Sequence, residues 1–568
     1  MQDYRRRVAR IDAMTASVQT LPPTAQVVRG TPLAAVALAS MVALLVAVPA
    51  AGLLLNLGGA GAADAWDHLA GTVLAGYAVN SVLLCTAVGA GTLALGAGCA
   101  WLTTAYRFPG ASWLSWLLLL PMAMPAYVVA YAYCDLLQFA GPVQSWLRES
   151  FGWRAREYWF PEIRSLGGAT ALLVLALYPY VYLPARAAFL DRPASLAEAA
   201  RLGGAGAWRR FARIELPLAW PALAGGVLLV VMETLADYGT VSQLAVDTFS
   251  VGIFKAWLGL GDRAAASQLA LLLLAAVALL MLAERRLRGE RRFAGRAAAS
   301  RRAPPRLGVL GSVLAIAICL LPPLLGFVLP ALHLVRLAAD EAVVFQAARL
   351  AAMAGASFGV AAAAALLVTG LAVLLGYVRR IAPGSGVALL VRFASLGYAV
   401  PGAVLAIGIL VPLARLDNFL DALADRWFGM DLGLLLTGSV AALLYAYGVR
   451  FLAVGLNTVE GGLARITGSM DEAARGLGVS GWRLLARVHL PLLRGPVWVA
   501  ALLVFVDVLK ELPATLALRP FGFETFATHA YALAKDERLA DAAVPSLMIV
   551  AVALLPVLWA SRALRARP

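Results

Sequence analysis

Long apolar runs recur along the whole chain and are separated by short polar segments. Each run covers about 20 residues, enough for a helix to cross roughly 30 Å of hydrocarbon. Continuous helices are expected because hydrocarbon offers no partner to an unpaired backbone amide. The pattern predicts twelve membrane-spanning helices, with approximate bounds at 33–56, 77–103, 113–138, 168–190, 217–237, 266–283, 307–331, 350–377, 388–413, 432–452, 491–510 and 543–561.

The composition agrees with this pattern. Hydrophobic residues make up 62% of the 568 residues and charged residues only 14%, with a mean hydropathy of +0.81. A soluble domain of this size needs more polar surface to cover its core. The chain is therefore predicted to be an all-α polytopic membrane protein.

The positive charge is concentrated in three places. Arginines cluster before the first span, in segment 284–306 and after the last span, and together they dominate the net charge of +15. With a cytoplasmic N-terminus, twelve spans place all three clusters and both chain ends in the cytoplasm. The outer loop 414–431 is acidic instead, which fits the positive-inside rule. The charge thus indicates membrane orientation and argues against nucleic acid as a partner.

The arginine-rich segment 284–306 divides the chain near its middle, with six predicted spans on each side. We expect a first repeat at 1–283, a cytoplasmic linker at 284–306 and a second repeat at 307–568. Because six is even, the two copies share one orientation, unlike the inverted repeats of many secondary transporters.

A charged segment occurs once in each half, between the fourth and fifth spans. "SLAEAARLGGAGAWRRFARIELPL" begins at Ser195 and "SMDEAARGLGVSGWRLLARVHLPL" begins at Ser469, 274 positions later. Without a gap, thirteen of the twenty-four positions are identical. Both copies begin Ser-x-x-Glu, which predicts a capping box, and continue as helix, glycine break and helix on the cytoplasmic face. An interfacial loop with snorkelling arginines is the simpler interpretation, but it does not explain the duplication.

These segments resemble the EAA loop of binding-protein-dependent ABC importer permeases, in which Glu-Ala-Ala, three residues and Gly precede an apolar stretch ending Leu-Pro. In that family the loop forms a coupling helix that docks in a groove of the ATP-binding subunit. The resemblance implies coupling loops at 195–215 and 469–489. The residues that it implies in ATPase contact are Glu198, Ala199, Ala200, Arg201 and Gly204 in the first loop, and Glu472, Ala473, Ala474, Arg475 and Gly478 in the second.

The stretches after each loop resemble the fused permeases of ferric-iron importers. They are "METLADYGTVSQLAVDTFSVGIFKAWLGLGD" (232–262) and "FVDVLKELPATLALRPFGFETFATHAYALAKDE" (505–537). Asn80-Ser81 also opens the second span in the family manner, whereas "FQAARL" (345–350) does not repeat it.

The resemblance implies the whole permease of an ABC importer in a bacterial inner membrane. Its expected partners are two ATP-binding subunits and a periplasmic or lipid-anchored substrate-binding protein. ATP and Mg would be bound by the ATPase, with no cofactor on this chain. Thiamine, sulfate, a phosphonate or a polyamine remain alternative cargoes, and a twelve-helix secondary transporter is the alternative class.

Four carboxylates are the candidate pathway residues. The offset of 274 pairs Glu233 with Asp507 and Asp237 with Glu511, and each half places its two acids one helical turn apart. Glu233 and Asp507 lie about 24 Å along helices that start on the cytoplasmic side, in the outer half of the membrane. The four could attract a hard trivalent cation. Alternatively, Asp237 and Glu511 sit at the outer interface with Glu511 paired to Lys510 or an arginine, or all four contact the substrate-delivering protein.

Other chemistry has little support in the sequence. The four histidines, His68, His333, His489 and His529, lack metal-ligand spacing, and the four cysteines lie in or beside apolar runs. No Gly-Lys dipeptide occurs, so the chain lacks a phosphate loop. We therefore expect a transport subunit rather than an enzyme, with no metal site and with energy supplied by another chain.

Overall fold

The structure is a computed structural model that describes residues 33–57, 62–154, 157–191, 204, 206–288, 305–340, 347–382 and 384–565. In these ranges most of the chain is helical and none of it forms a strand; an isolated bridge pairs Arg107 with Arg306. This bridge joins the loop after the second span to the residues just before the second half. The repeat boundaries themselves stay a prediction.

The first half contains twelve helices in the described ranges. They are α1 (Leu33–Asn56), α2 (Ala62–Thr72), α3 (Leu74–Ala105), α4 (Ala111–Leu117), α5 (Ala126–Leu137), α6 (Pro142–Phe151), α7 (Leu166–Leu177), α8 (Pro179–Leu190), α9 (Ala207–Ala236), α10 (Gly239–Gln243), α11 (Phe249–Gly259) and α12 (Arg263–Arg288).

The second half contains eleven helices in the described ranges. Its helices are α13 (Val309–Ala339), α14 (Ala347–Ile381), α15 (Ser385–Ala394), α16 (Gly402–Phe428), α17 (Val440–Leu463), α18 (Gly468–Gly476), α19 (Trp482–Leu492), α20 (Arg494–Leu509), α21 (Pro513–Leu518), α22 (Phe526–Lys535) and α23 (Leu539–Arg565).

Nine helices of the described ranges are long and apolar enough to cross a membrane, and three bent helix pairs bring the number to as many as twelve. Every predicted apolar run overlaps one of these helices or pairs. The predicted fold class, an all-α polytopic membrane protein, is confirmed.

The third predicted span of each half is broken rather than straight. The apolar pattern predicts a single helix over each of the runs 113–138 and 388–413, but Pro125 and Pro401 interrupt them. The preceding residues, Met124 and Val400, are extended, as expected before a proline, and the ring removes an amide from the helical ladder. In the first half the chain turns by 89° between Ala111–Ala123 and Ala126–Phe151. These breaks shape the centre of the molecule.

The first helix of each half packs against the opposite half. Helix α1 lies on α15 and α16, while α13 contacts α4 and α5. Ala35, Ala39 and Val42 of α1 join an apolar core with residues of α14 and α17. The apolar surface that these two helices bury therefore stabilises the association of the two halves.

Two glycines allow the backbones of α1 and α16 to come into direct contact where the two helices cross. A Cβ on Gly52 would lie 2.0 Å from the carbonyl oxygen of Gly408, and a Cβ on Gly408 would lie 2.3 Å from that of Pro49. Such close approach through small residues is typical of membrane helix packing.

We expect Gly52→Ala to destabilise the protein by about 1–3 kcal/mol, because backbone atoms cannot move aside as a flexible side chain can. Thermal unfolding of the purified protein measures this effect. Gly98→Ala is the matched control, since a Cβ there meets nothing within 4 Å, and it should be neutral or stabilising by up to about 1 kcal/mol. Equal unfolding midpoints for the two variants would contradict the crossing contact.

The Asn80-Ser81 signature has a structural counterpart that the sequence comparison missed. Ser81 accepts a hydrogen bond from the amide of Phe249 at 3.3 Å, at the start of α11. Ser357 accepts one from Phe526 at 2.9 Å, at the start of α22. The second half thus supplies its serine from within α14 rather than from the stretch 345–350.

Candidate functional sites

A central cavity lies between the two halves, where their broken helices meet. It has an empty volume of about 940 Å³, part of which is open to solvent. The corner Pro121–Tyr127, the end of α9 and the end of α20 contribute to its wall. All four predicted pathway acids, Glu233, Asp237, Asp507 and Glu511, line this cavity. Their role in transport stays a prediction.

Two of the four acids cap short helices. Asp237 accepts hydrogen bonds from the amides of Thr240 and Val241, each at 3.0 Å, at the start of α10. Glu511 accepts in the same way from Ala514 and Thr515, each at 3.0 Å, at the start of α21. The two carboxylates thus satisfy free amides at the helix N-termini and complement their dipoles. Much of their hydrogen-bonding capacity is used inside the protein.

The other two acids leave oxygens available to the cavity. Glu233 Oε1 accepts a hydrogen bond from the Tyr398 hydroxyl at 2.8 Å, across the interface between the halves. Asp507 Oδ1 forms an ion pair with Lys510 Nζ at 3.1 Å. Glu233 and Asp507 are therefore the better candidates for contact with a positively charged cargo.

The cavity also contains basic groups that the sequence argument did not assign to it. Arg450 and Lys510 both line it. The equivalent positions in the first half are Ala176 and Ala236, so both cations come from the second half. Of the partners considered for Glu511, an arginine is the one found: Arg450 Nη1 lies 3.8 Å from Glu511 Oε1. A search for basic residues inside apolar runs would have identified both.

The second loop presents the implied ATPase-contact residues on α18. Glu472, Ala473 and Arg475 are exposed, whereas Ala474 is buried against the protein. Gly478 has a φ of +79° and Gly204, its counterpart, has a φ of +73°. This left-handed conformation favours glycine and explains the shared glycine after each helix. Glu198, Ala199, Ala200 and Arg201 lie outside the described residues.

The predicted capping box is wrong for the second loop. Helix α18 begins at Gly468, its N-cap is Thr467, and no side chain caps it. Ser469 instead shares a hydrogen bond with the Thr467 hydroxyl at 2.9 Å. The helix starts two residues earlier than the Ser-x-x-Glu pattern requires, so Glu472 is not needed as a cap and its exposed carboxylate is available to a partner.

Each loop is anchored at one equivalent position. In the second half, His489 Nε2 contacts Asp471 Oδ1 at 2.8 Å, and Arg380 Nε donates to Asp471 Oδ2 at 2.8 Å. In the first half, Glu215 occupies the position of His489 and pairs with Arg210 at 3.1 Å. Arg210 belongs to the same loop, and the contact of Glu215 outside the loop is with Trp101 of α3, whose Nε1 donates to Glu215 Oε2. In the second half the contact outside the loop is with Arg380 of α14. The repeat pattern does not reveal these contacts, because the partners differ between the two copies.

Burial alone would raise the pKa of Asp471, but hydrogen bonds from Arg380 and His489 outweigh burial and hold this pKa below the ordinary aspartate range. We expect Asp471→Asn to destabilise the loop by about 1–3 kcal/mol, because a buried charged partner is lost. Amide hydrogen exchange of 468–489 should accelerate correspondingly.

The same anchor predicts a pH dependence. Since the folded pKa of Asp471 is depressed, its contribution is complete above the ordinary aspartate pKa of about 3.9. The contribution is lost as the pH falls from there through the depressed value. The anchor would be contradicted if the amide protection factors of residues 468–489 changed neither with Asp471→Asn nor with acid.

Among the described residues, the histidines and cysteines do not form a metal site. His333, His489 and His529 each pair with a carboxylate, at 2.7 Å (Asp135), 2.8 Å (Asp471) and 3.1 Å (Glu524). Within the described ranges, no group of three or more His, Cys, Asp or Glu residues could hold a metal ion. The four cysteines are free thiols.

The amino-acid sequence matches a known protein family. The family model for the binding-protein-dependent transport system inner membrane component matches the chain twice, over residues 92–288 and 369–567. The Fe(3+)-transport system permease protein FbpB 2 of Haemophilus influenzae is 23% identical over 483 residues, which cover 84% of this chain and 88% of that protein.

Shorter matches involve permeases of other transport systems. The sulfate transport system permease protein CysT of Escherichia coli is 32% identical over 188 residues, or 32% of this chain and 65% of that protein. The molybdenum transport system permease protein ModB of Escherichia coli is 31% identical over 140 residues, or 25% of this chain and 58% of that protein. Because the two family matches span more than half of the chain, it belongs to the inner-membrane permeases of binding-protein-dependent ABC transport, as a multi-pass protein with two fused copies of the family domain.

Proposed function

We propose that this permease imports ferric iron, delivered by a periplasmic or lipid-anchored binding protein, across the bacterial inner membrane. The observation that carries the proposal is the central cavity, where Glu233 and Asp507 approach from opposite halves. Carboxylate oxygens are hard ligands suited to a hard cation, and charged groups inside a membrane protein usually mark a transport pathway. The iron-transport relative supports the same cargo, since its match extends over most of both chains.

Two ATP-binding subunits would supply the energy, one at each coupling loop, 195–215 and 469–489. ATP and Mg would be bound in those subunits, with no cofactor on this chain. Both termini and both loops would face the cytoplasm, as the arginine clusters predict. Closure of the ATPase pair would move the loops, and the buried anchors at Glu215 and His489 would transmit that movement to the helices around the cavity.

An oxyanion is the second candidate cargo. Arg450 and Lys510 give the cavity positive charge from the second half, and guanidinium groups bind oxyanions well. The sulfate and molybdenum permeases among the relatives fit this candidate, although their matches cover a third of this chain or less.

Uptake of labelled ferric iron, sulfate and molybdate by cells that lack the gene tests the assignment. We expect iron uptake under iron starvation to fall in the deletion strain and to return with the wild-type chain. Glu233→Gln with Asp507→Asn should restore about a tenth or less of that uptake, because the cargo loses charged ligands while the shapes of both side chains are kept.

Loss of sulfate or molybdate uptake, with iron uptake unchanged, would replace the ferric assignment with the oxyanion one. If iron uptake depends on the gene but not on the two acids, the assignment of ferric iron as cargo stands. The assignment of Glu233 and Asp507 to the transport pathway then fails. Immunoblots of the membrane fraction control for the amount of each variant.

A further inference from the structure

Two hydrogen-bond donors in the cavity wall have no acceptor among the described residues. They are Nη1 of Arg450 and the hydroxyl of Tyr127. Tyr127 is 5% exposed, and the Arg450 side chain is 12% exposed. Buried donors are almost always paired in folded proteins, so an unpaired donor in a cavity wall is a candidate ligand contact.

Both donors lie around Glu511, but this carboxylate does not satisfy them. Its oxygens already accept from the amides of Ala514 and Thr515, and Oε2 also accepts from the Thr515 hydroxyl at 2.7 Å. Arg450 Nη1 remains 3.8 Å away, beyond hydrogen-bond distance. Tyr127 lies near the same place, since its side chain and that of Leu512, the residue after Glu511, both pack around Gly239. The acid therefore attracts Arg450 by charge, and the Arg450 Nη1 and the Tyr127 hydroxyl both remain without an acceptor.

A different set of groups surrounds the candidate cation ligands. Lys510 pairs with Asp507 at 3.1 Å and lines the same cavity as Glu233. Tyr398 donates to Glu233. The cavity thus contains an acidic cluster and a separate donor pair, Arg450 with Tyr127.

We infer that Arg450 and Tyr127 form an oxyanion-binding subsite, so that the cargo enters the cavity as a metal complex with a carboxylate or other oxyanion ligand rather than as a bare ion. A guanidinium group offers a planar set of donors that matches a carboxylate or phosphate, and a phenol can donate a further bond. The acidic cluster would contact the metal side of the same complex. This inference deepens the proposed function and rests on it for the metal.

Ligand-induced shifts of the thermal unfolding midpoint test the subsite. The full chain in lipid nanodiscs is titrated with ferric citrate, with citrate alone and with molybdate, since ligand binding to the folded state raises the midpoint. We expect ferric citrate to stabilise the wild-type protein. Arg450→Gln should weaken its apparent affinity about tenfold or more, because a charge-assisted contact is lost, and Arg450→Lys should recover part of it.

Tyr127→Phe separates a binding role from a structural one. Removing an unpaired buried hydroxyl should leave the midpoint without ligand unchanged or higher, while the affinity for ferric citrate falls about threefold or more. Arg349→Gln is the matched control, because this arginine lies outside the cavity and pairs with Glu524 at 3.2 Å.

The outcomes distinguish this inference from the proposed function. If molybdate or citrate alone binds as tightly as ferric citrate, and Arg450→Gln weakens all of them, the oxyanion subsite stands and the ferric assignment fails. If ferric citrate binds wild type, Arg450→Gln and Tyr127→Phe equally, the subsite is overturned and the ferric assignment stands. Absence of a shift with every probe at all soluble concentrations would also overturn the subsite.

Discussion

Replacing Glu198 and Glu472 together with arginine is expected to reduce substrate uptake about a hundredfold or more, while the chain still reaches the membrane. Glu472 is exposed on α18 and caps nothing, so charge reversal should leave the helix formed. At a docked interface, by contrast, an unpaired charge costs about 2–5 kcal/mol. Uptake assays and ATP hydrolysis by the assembled transporter measure the effect, and both should fall together.

The matched control is Glu149→Arg, an exposed glutamate on α6, near the predicted outer surface. It carries the same change of charge and should transport normally. Glu472→Arg alone tests the loop that the structure describes, since Glu198 lies outside the described residues. Normal transport by the double variant would remove both loops from ATPase coupling.

The second large effect is on stability. Glu511→Gln is expected to lower the free energy of unfolding by about 3–5 kcal/mol, because it leaves the largely buried Arg450 without its counter-charge. The glutamine amide also directs donors towards a site that already contains two backbone amides and a hydroxyl. Thermal or denaturant unfolding in a fixed lipid environment measures the loss.

Glu537→Gln provides the comparison for this effect. Glu537 also pairs with an arginine, Arg164, at 3.5 Å, but the glutamate side chain is 75% exposed. An exposed pair contributes about 0–1 kcal/mol, so its loss should hardly move the midpoint. If Glu511→Gln is as stable as Glu537→Gln, Glu511 acts neither as a helix cap nor as the counter-ion of Arg450.

The fold could be predicted in outline because a membrane imposes a simple rule on sequence. Apolar runs of about 20 residues have few alternatives to helices, and all twelve runs overlap helices or bent pairs in the structure. The breaks at Pro125 and Pro401 were missed because the apolar composition continues through them. The prolines themselves were the available signal.

The candidate sites were predictable only in part. The offset between the repeats identified Glu233, Asp237, Asp507 and Glu511, which the structure brings to one cavity. The offset does not distinguish Asp237 and Glu511, which cap helices, from the other two acids, which keep oxygens available to the cavity. This difference depends on the short helices α10 and α21. The offset also could not find Arg450 or His489, because repeat comparison detects what the halves share and these residues differ between them.

ATP-dependent accumulation of labelled ferric iron in proteoliposomes tests the central claim most directly. The vesicles contain this permease with its ATP-binding subunit, and the binding protein loaded with iron is added outside. We expect iron to accumulate only when Mg-ATP is enclosed, and not with the variant Glu198→Arg, Glu472→Arg. Accumulation that follows an imposed proton or sodium gradient without ATP would contradict the account.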